Sequence, residues 1–260
     1  MNRLDIELVG RNIVPTRAKA QELIKSGNVK VNGKIITKPS TSIIPDDNIE
    51  IIDNSTLRYV SRAGLKLEKA INVFNIDLNG KNIMDIGSST GGFTDCALQN
   101  GAKHIIAVDV GTDLMHPALR NNPKVELYEQ TNIKDLPDIK FDNVDYITID
   151  VSFVSLSKIF EKIFLSKAKC NIVALIKPQF ECGKKIADKF KGIVLDRKVH
   201  YDIINNIVDM ASGYGFNLIN LDFSPIKGGD GNIEYISLFS TQSATSTIDI
   251  KKIINSAFNK

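Results

Sequence analysis

Residues 82–96 read Asn-Ile-Met-Asp-Ile-Gly-Ser-Ser-Thr-Gly-Gly-Phe-Thr-Asp-Cys. An apolar run ends in a cluster of three glycines, and a helix-compatible stretch follows. A near-continuous apolar run marks a strand buried on both faces, and such strands belong to parallel sheets covered by helices. Three further runs have the same character: HIIAVDV (104–110), VDYITIDV (144–151) and CNIVALIK (170–177). Residues 198–212 predict a long helix stopped by Gly213 and Gly215. The runs 216–224 and 234–240 follow, joined by a Gly-rich link too short for a crossover helix, so they are expected to pair antiparallel. The fold class expected is α/β, a mostly parallel sheet closing with a C-terminal antiparallel hairpin.

The glycine cluster stands at the carboxyl end of the first buried strand, where open α/β sheets bind ligands. Glycines let a backbone approach a ligand closely, and N–H groups at a helix start favour polar or anionic groups. The spacing is neither GxGxxG nor a P-loop, which argues against a dinucleotide or a nucleoside triphosphate. The competing reading is a tight strand–helix turn that needs glycine for its backbone. Asp109 ends the next strand, and an acid about 20 residues past such a loop can accept both hydroxyls of a ribose. Asp150 and Lys177 end the two strands after that and should face one cleft. An unpaired lysine at the rim of a core strand is costly, so Lys177 is either a snorkelling residue or part of a site.

Charge is uneven along the chain. The formal net charge is +3, yet residues 1–40 carry eight Lys/Arg against three Asp/Glu. This front segment predicts a helix over 3–10, and a second helix capped by Thr16 that runs to Lys25. A hairpin turned by Asn32-Gly33 and a strand over 48–52 complete it. Arg3, Arg17, Lys19, Lys25, Lys30 and Lys34 recur over it, the donor type that phosphate contacts use. The expected domains are residues 1–53, a polar linker at 54–58, and residues 59–260. Cys96, Cys170 and Cys182 show no CxxC spacing and are odd in number, which points to a reducing compartment and inert thiols. The histidines are scattered, so no metal site is expected. There is no apolar signal core at the start and no apolar run of about 18 residues, so no membrane partner is expected and the location expected is cytoplasmic.

Residues 3–50 resemble the RNA-binding domain first known from ribosomal protein S-four, through Arg3-Leu4-Asp5, Thr16–Ala20, Ile24–Gly33 and Lys38-Pro39. Residues 59–240 resemble the FtsJ-like methyltransferases, and the combination resembles the TlyA family, whose members also bear the label hemolysin. The matching motifs are Tyr59–Leu67, Asp85–Cys96, Lys177–Glu181 and Gly229–Glu234. Ala63 and Ser88 depart from the more usual glycine and alanine.

The resemblance implies a Rossmann-like methyltransferase sheet behind a small α+β RNA-binding domain. It also implies methylation of a ribose 2′-hydroxyl in ribosomal RNA, a cytidine as in the family, with S-adenosyl-L-methionine as cofactor. The partner would be ribosomal RNA or a ribosomal subunit. The family's Lys-Asp-Lys-Glu set falls on Lys66, Asp150, Lys177 and Glu234; the first and last rest on the resemblance alone. Lys177 would abstract or polarise the hydroxyl proton, Asp150 would orient it, and Lys66 with Glu234 would position the ribose. The cofactor loop would comprise Asp85, Gly87, Ser88, Ser89, Thr90, Gly91, Gly92 and Phe93, with Asp109 opposite. Three rival readings are a membrane-lytic hemolysin, which would need a lytic helix that is not visible, a non-catalytic ribosome assembly factor, and a small-molecule methyltransferase, which would leave the basic front segment unexplained.

Overall fold

The computed structural model describes residues 1–54, 57–228, 230–242 and 247–259. Ser55 and Thr56 of the expected linker, and Gly229 of the last motif, lie outside the described residues. The chain packs as two compact units, Met1–Arg62 and Ala63–Lys260. The division therefore falls past the polar stretch at 54–58, and Tyr59 is tied to the first unit because Lys19 Nζ donates to its carbonyl at 2.6 Å.

In the first unit, β1 (Asn2–Arg3) leads into α1 (Leu4–Gly10) and then α2 (Arg17–Lys25). Thr16 caps α2 by accepting the Lys19 N–H. β2 (Val29–Val31) and β3 (Lys34–Ile35) form the hairpin. Its turn residues Asn32 and Gly33 both have positive φ, as a primed turn requires. β4 (Ser42–Ile43) pairs with β1, and β5 (Ile49–Ile51) with β2. The two-residue β1–β4 ladder carries no periodicity and was not foreseen from the sequence. Leu4, Leu8, Leu23, Ile24 and Val29 are fully buried and form the core of this unit.

The second unit opens with α3 (Gly64–Phe74), followed by β6 (Asn82–Ile86), α4 (Gly92–Gln99), β7 (His104–Val108), α5 (Pro117–Arg120) and β8 (Val125–Tyr128). Then come β9 (Tyr146–Ile149), α6 (Leu156–Leu165), β10 (Asn171–Ile176), α7 (Pro178–Glu181), α8 (Lys184–Lys189) and α9 (Arg197–Gly213). β11 (Asn217–Phe223), β12 (Tyr235–Ser240) and α10 (Ile250–Phe258) complete it. The sheet order is β11-β12-β10-β9-β6-β7-β8. β6 to β10 run parallel to one another, and β12 is antiparallel to both β10 and β11. This is the Rossmann-like methyltransferase sheet with its antiparallel closing pair. β8 was not foreseen: it is a four-residue edge strand, half-buried throughout.

Helix α6 shows why the sheet is covered. Its Leu156, Ile159, Phe160 and Ile163 recur at helical spacing and are all buried. Phe160 packs edge-on against Phe216 and Phe239. Each such side chain removed from water contributes roughly 1.5–3 kcal/mol. Among the described residues no helix is long and apolar enough to cross a membrane.

Candidate active site

Sheet topology brings three of the four expected catalytic residues to one edge. β10 lies between β9 and β12, with Ala174 opposite Ile149 and Ile176 opposite Tyr235. Asp150 follows β9, Lys177 follows β10, and Glu234 precedes the antiparallel β12. All three therefore leave the sheet at the same end. Lys66, in the first turn of α3, is the fourth.

The four side chains form a chain of alternating charge. Lys66 Nζ lies 2.7 Å from Glu234 Oε2 and 3.5 Å from Asp150 Oδ2, and Lys177 Nζ lies 2.5 Å from Asp150 Oδ1. Lys177 Nζ also donates to Ser152 Oγ at 3.3 Å. Lys66 and Lys177 are each 7% exposed and Glu234 is 3% exposed. Buried charges persist when they are paired, and here each lysine meets a carboxylate. A snorkelling lysine would carry its ammonium out to water; Lys177 does the opposite.

Asp150 also lines a cavity of about 330 Å³ with Gly87, Ser89, Asp109, Asn132 and Ser152, and with apolar walls from Val110, Leu114, Ile133, Phe153 and Val154. Asp109 is pre-oriented there. Its Oδ2 accepts the Ser89 N–H and its Oδ1 the Gly111 N–H, both at 2.7 Å. Each oxygen keeps a lone pair for a further donor. Gly87 has φ +81°, and a Cβ on it would stand 2.7 Å from the Asp150 carbonyl oxygen, so only glycine lets the two strand ends close together.

Of the nine expected cofactor residues, only Gly87, Ser89 and Asp109 line this cavity. Thr90 is exposed outside it, with its carbonyl accepting the His116 N–H. Gly91 is needed for another reason than room for a ligand: its φ is +93°, and a Cβ would run into Leu119 and Met115. Ser88, Gly92 and Phe93 are buried. Asp85 points inward, accepting Thr94 Oγ1 at 2.7 Å and Thr148 Oγ1 at 2.9 Å. Conversely, the cavity walls at Thr131–Ile133 and Val151–Val154 were not anticipated; they carry no motif and lie in loops, apart from Ile133, which opens a short 3-10 turn. Phe153 is notable among them, 86% exposed with φ +64°, its ring centroid 4.7 Å from that of Phe180.

Burial, and then the nearby Asp150 charge, push the Asp85 carboxyl up to about 6, against the two threonine hydrogen bonds. The folded value lies above the ordinary carboxylate value of about 3.9. Between these pH values the folded chain holds a proton that the unfolded chain has released. The contribution of Asp85 to stability is therefore most favourable below about pH 4, falls as pH rises through 6, and is level above. Asp85→Asn is expected to stabilise the chain at pH 8 by on the order of 3 kcal/mol and to match wild type near pH 4. Urea unfolding at the two pH values checks this, and an unchanged difference between them would remove the assignment.

The expected RNA-contacting residues divide into two sets. Arg3 and Arg17 both bond the fully buried Asp5, at 2.9 Å each, and hold its carboxyl well below the usual range. Lys19 is turned in, on the Tyr59 carbonyl and 3.7 Å from Glu22. Lys25 and Lys34 are exposed and Lys30 is half-buried. Elsewhere, burial pushes the Cys170 thiol up to about 12. Among the described residues no group of three or more His, Cys, Asp or Glu is placed to hold a metal ion.

The family description "FtsJ-like methyltransferase" matches residues 59–241, and "S4 domain" matches residues 2–49. The Mycobacterium tuberculosis protein named 16S/23S rRNA (cytidine-2'-O)-methyltransferase TlyA is 35% identical over 242 residues, covering 92% of this chain and 90% of its own. Hemolysin A of Brachyspira hyodysenteriae is 42% identical over 240 residues, covering 91% and 99%. A solved Streptococcus thermophilus protein described as a hemolysin candidate superposes with a TM-score of 0.77 at 38% identity, covering 99% of this chain and 95% of that one. The chain thus belongs to the FtsJ-like methyltransferases, in the TlyA branch that carries an S4 domain ahead of the catalytic unit.

Proposed function

We propose that this enzyme methylates the 2′-hydroxyl of a cytidine ribose in ribosomal RNA, using S-adenosylmethionine, in the cytoplasm. One observation carries the reading: Asp150 belongs at once to the cavity and to the buried pairs with Lys66 and Lys177. A ligand pocket and a polar centre suited to an alcohol therefore share a wall. The residues fit the cofactor. Asp109 has lone pairs for a ribose diol, and Val110, Leu114, Ile133 and Val154 offer apolar faces to a heterocycle. When bound, S-adenosylmethionine supplies a methyl group on a positively charged sulfur.

The chain's own residues then have to orient and activate the hydroxyl. Lys177, held by Asp150, donates to the 2′-oxygen and steadies negative charge as it develops there, which is preorganised electrostatic stabilisation, while the hydroxyl proton is released to solvent as that oxygen takes the methyl. Lys66 and Glu234 fix the other side of the ribose. Alignment of the reacting atoms supplies much of the acceleration. The exposed Phe153 ring offers a face on which a splayed base can stack, the usual route to single-stranded RNA. Residues 1–53 supply the phosphate anchor.

The test is transfer of labelled methyl to total ribosomal RNA and to assembled subunits. The product is expected in alkali-resistant dinucleotides, because a 2′-O-methyl blocks cleavage there. Label on a base would sink the ribose reading, and no transfer with intact RNA binding would favour an assembly factor. Liposome leakage by the same protein would favour a lytic role. For the anchor, charge reversal at Lys25, Lys30 and Lys34 is expected to weaken RNA binding and lower its salt slope by about 2 to 3, with unchanged affinity for S-adenosylhomocysteine. Arg17 and Lys19 are poorer choices, since their changes would strip partners from Asp5 and Tyr59. Wild-type salt dependence in the triple variant would remove the anchor from these residues.

A further inference from the structure

Residues 184–198 read Lys-Lys-Ile-Ala-Asp-Lys-Phe-Lys-Gly-Ile-Val-Leu-Asp-Arg-Lys, six Lys/Arg against two Asp. Residues 41–260 as a whole hold 25 Lys/Arg and 27 Asp/Glu. Positive charge is therefore concentrated here in an otherwise slightly acidic stretch. Helix α8 buries no side chain, and Lys184, Lys185, Lys189 and Lys191 are all exposed. Among the described residues none of these four lysines has an ion-pair partner. Its apolar residues are Ile186 and Ala187, both only half-buried, so its placement comes largely from its ends.

Both ends are fastened next to strand ends that carry members of the catalytic quartet. The segment starts from α7, whose N-cap is Lys177. The Glu181 carboxylate closing α7 accepts Ser155 Oγ and the Leu156 N–H, both at 2.8 Å. At the far end, the Val194 N–H donates to Asn232 Oδ1 at 3.0 Å, and Asn232 Nδ2 donates to the Gly192 carbonyl at 2.8 Å. Asn232 is 2% exposed and stands two residues before Glu234. His200 Nε2 donates to the Val194 carbonyl at 2.9 Å, and its Nδ1 accepts from the Tyr235 hydroxyl at 2.7 Å. The cations are thus suspended between the strand ends that carry Lys177 and Glu234.

We propose that residues 184–191 form a second RNA-contacting surface, whose lysines neutralise phosphates flanking the target nucleotide. The inference rests on the reading of RNA as substrate. Charge complementarity selects the partner: a strand that delivers a 2′-hydroxyl to Lys177 carries its own phosphates past this segment. Lysines serve because phosphate contacts tolerate loose geometry. The surface belongs to the second unit and acts in addition to the cations of the first.

The test is the full chain with Lys184→Glu, Lys185→Glu and Lys189→Glu together, beside a triple Lys→Gln variant. All three positions are exposed, and the melting temperature monitors the fold. The charge-reversed variant is expected to lose at least about 10-fold in affinity for ribosomal RNA and to show a salt slope smaller by about 2 to 3, since each neutralised phosphate releases close to one counterion. The Gln variant should move both quantities less, in the same direction. Affinity for S-adenosylhomocysteine should stay within about 2-fold, because no cavity wall is altered. If wild type methylates ribosomal RNA and both triple variants bind it with wild-type affinity and slope, this surface is overturned and the methyltransferase reading stands. A wild-type chain that transfers nothing to ribosomal RNA overturns both.

Discussion

Lys177→Met is expected to lower methyl transfer by at least about 10²-fold, the lower end for loss of a preorganised donor to the reacting oxygen, in a chain that still folds. Methionine keeps the stem length and its apolar character, so the packing at the end of β10 survives. Asp150 loses its partner at 2.5 Å but keeps Lys66 at 3.5 Å, so no carboxylate is left without a cation. Gly87, Ser89 and Asp109 are untouched, and affinity for S-adenosylhomocysteine should hold. The cations of residues 1–53 are untouched too, and RNA affinity should hold. A structural role for Lys177 makes the opposite forecast, a shifted melting temperature with near-normal turnover. Single-turnover transfer at saturating cofactor and RNA separates the two, and a rate within about 3-fold of wild type, far short of the loss expected of a preorganised donor, would return Lys177 to the structural reading.

The parts of this fold that were legible in sequence are those written in local pattern. The four buried strands show as apolar runs, and β11 with β12 shows as two strands without room for a helix between them. β8 was missed because an edge strand of four half-buried residues leaves little contrast. The placement of β12 between β10 and β11 is a long-range choice that no window of sequence reveals. The same division runs through the site. Asp150 and Lys177 end predictable strands and could be paired from the sheet logic alone. Lys66 and Glu234 sit on α3 and before β12, 168 residues apart, and only the family resemblance singled them out. The glycine-rich loop stood out in sequence, and its Gly87 and Ser89 line the cavity, but which of its side chains turn inward was not legible. Asp85 faces the two threonines rather than the cavity because residues alternate across a strand. The preceding Met84 and following Ile86 belong to the main core cluster.

Asp150→Asn should cost as much activity as the lysine change and, unlike it, cost stability. The amide keeps the shape of the carboxylate and removes its charge. Two lysines then share the single carboxylate of Glu234, 2.7 Å from Lys66 and on the far side of it from Lys177. Removing one partner of a buried pair is destabilising by roughly 3–5 kcal/mol; the Asp150 side chain is 13% exposed, which puts the expected loss nearer the lower figure. Transfer should fall by about 10²- to 10⁴-fold, because an ammonium no longer anchored need move only about 1 Å to lose its alignment. The cofactor should still bind, since Gly87 packs on the Asp150 main-chain carbonyl and not on its side chain. The decisive measurement is the double variant Asp150→Asn with Lys177→Met. If Asp150 acts by holding Lys177, the aspartate has nothing left to hold once the ammonium is gone. The double variant should then be no more than about 3-fold slower than the slower single variant, the non-additivity of residues that act as one unit. Losses that multiply across the two sites would show that Asp150 contributes on its own, and would detach it from the role of orienting the lysine.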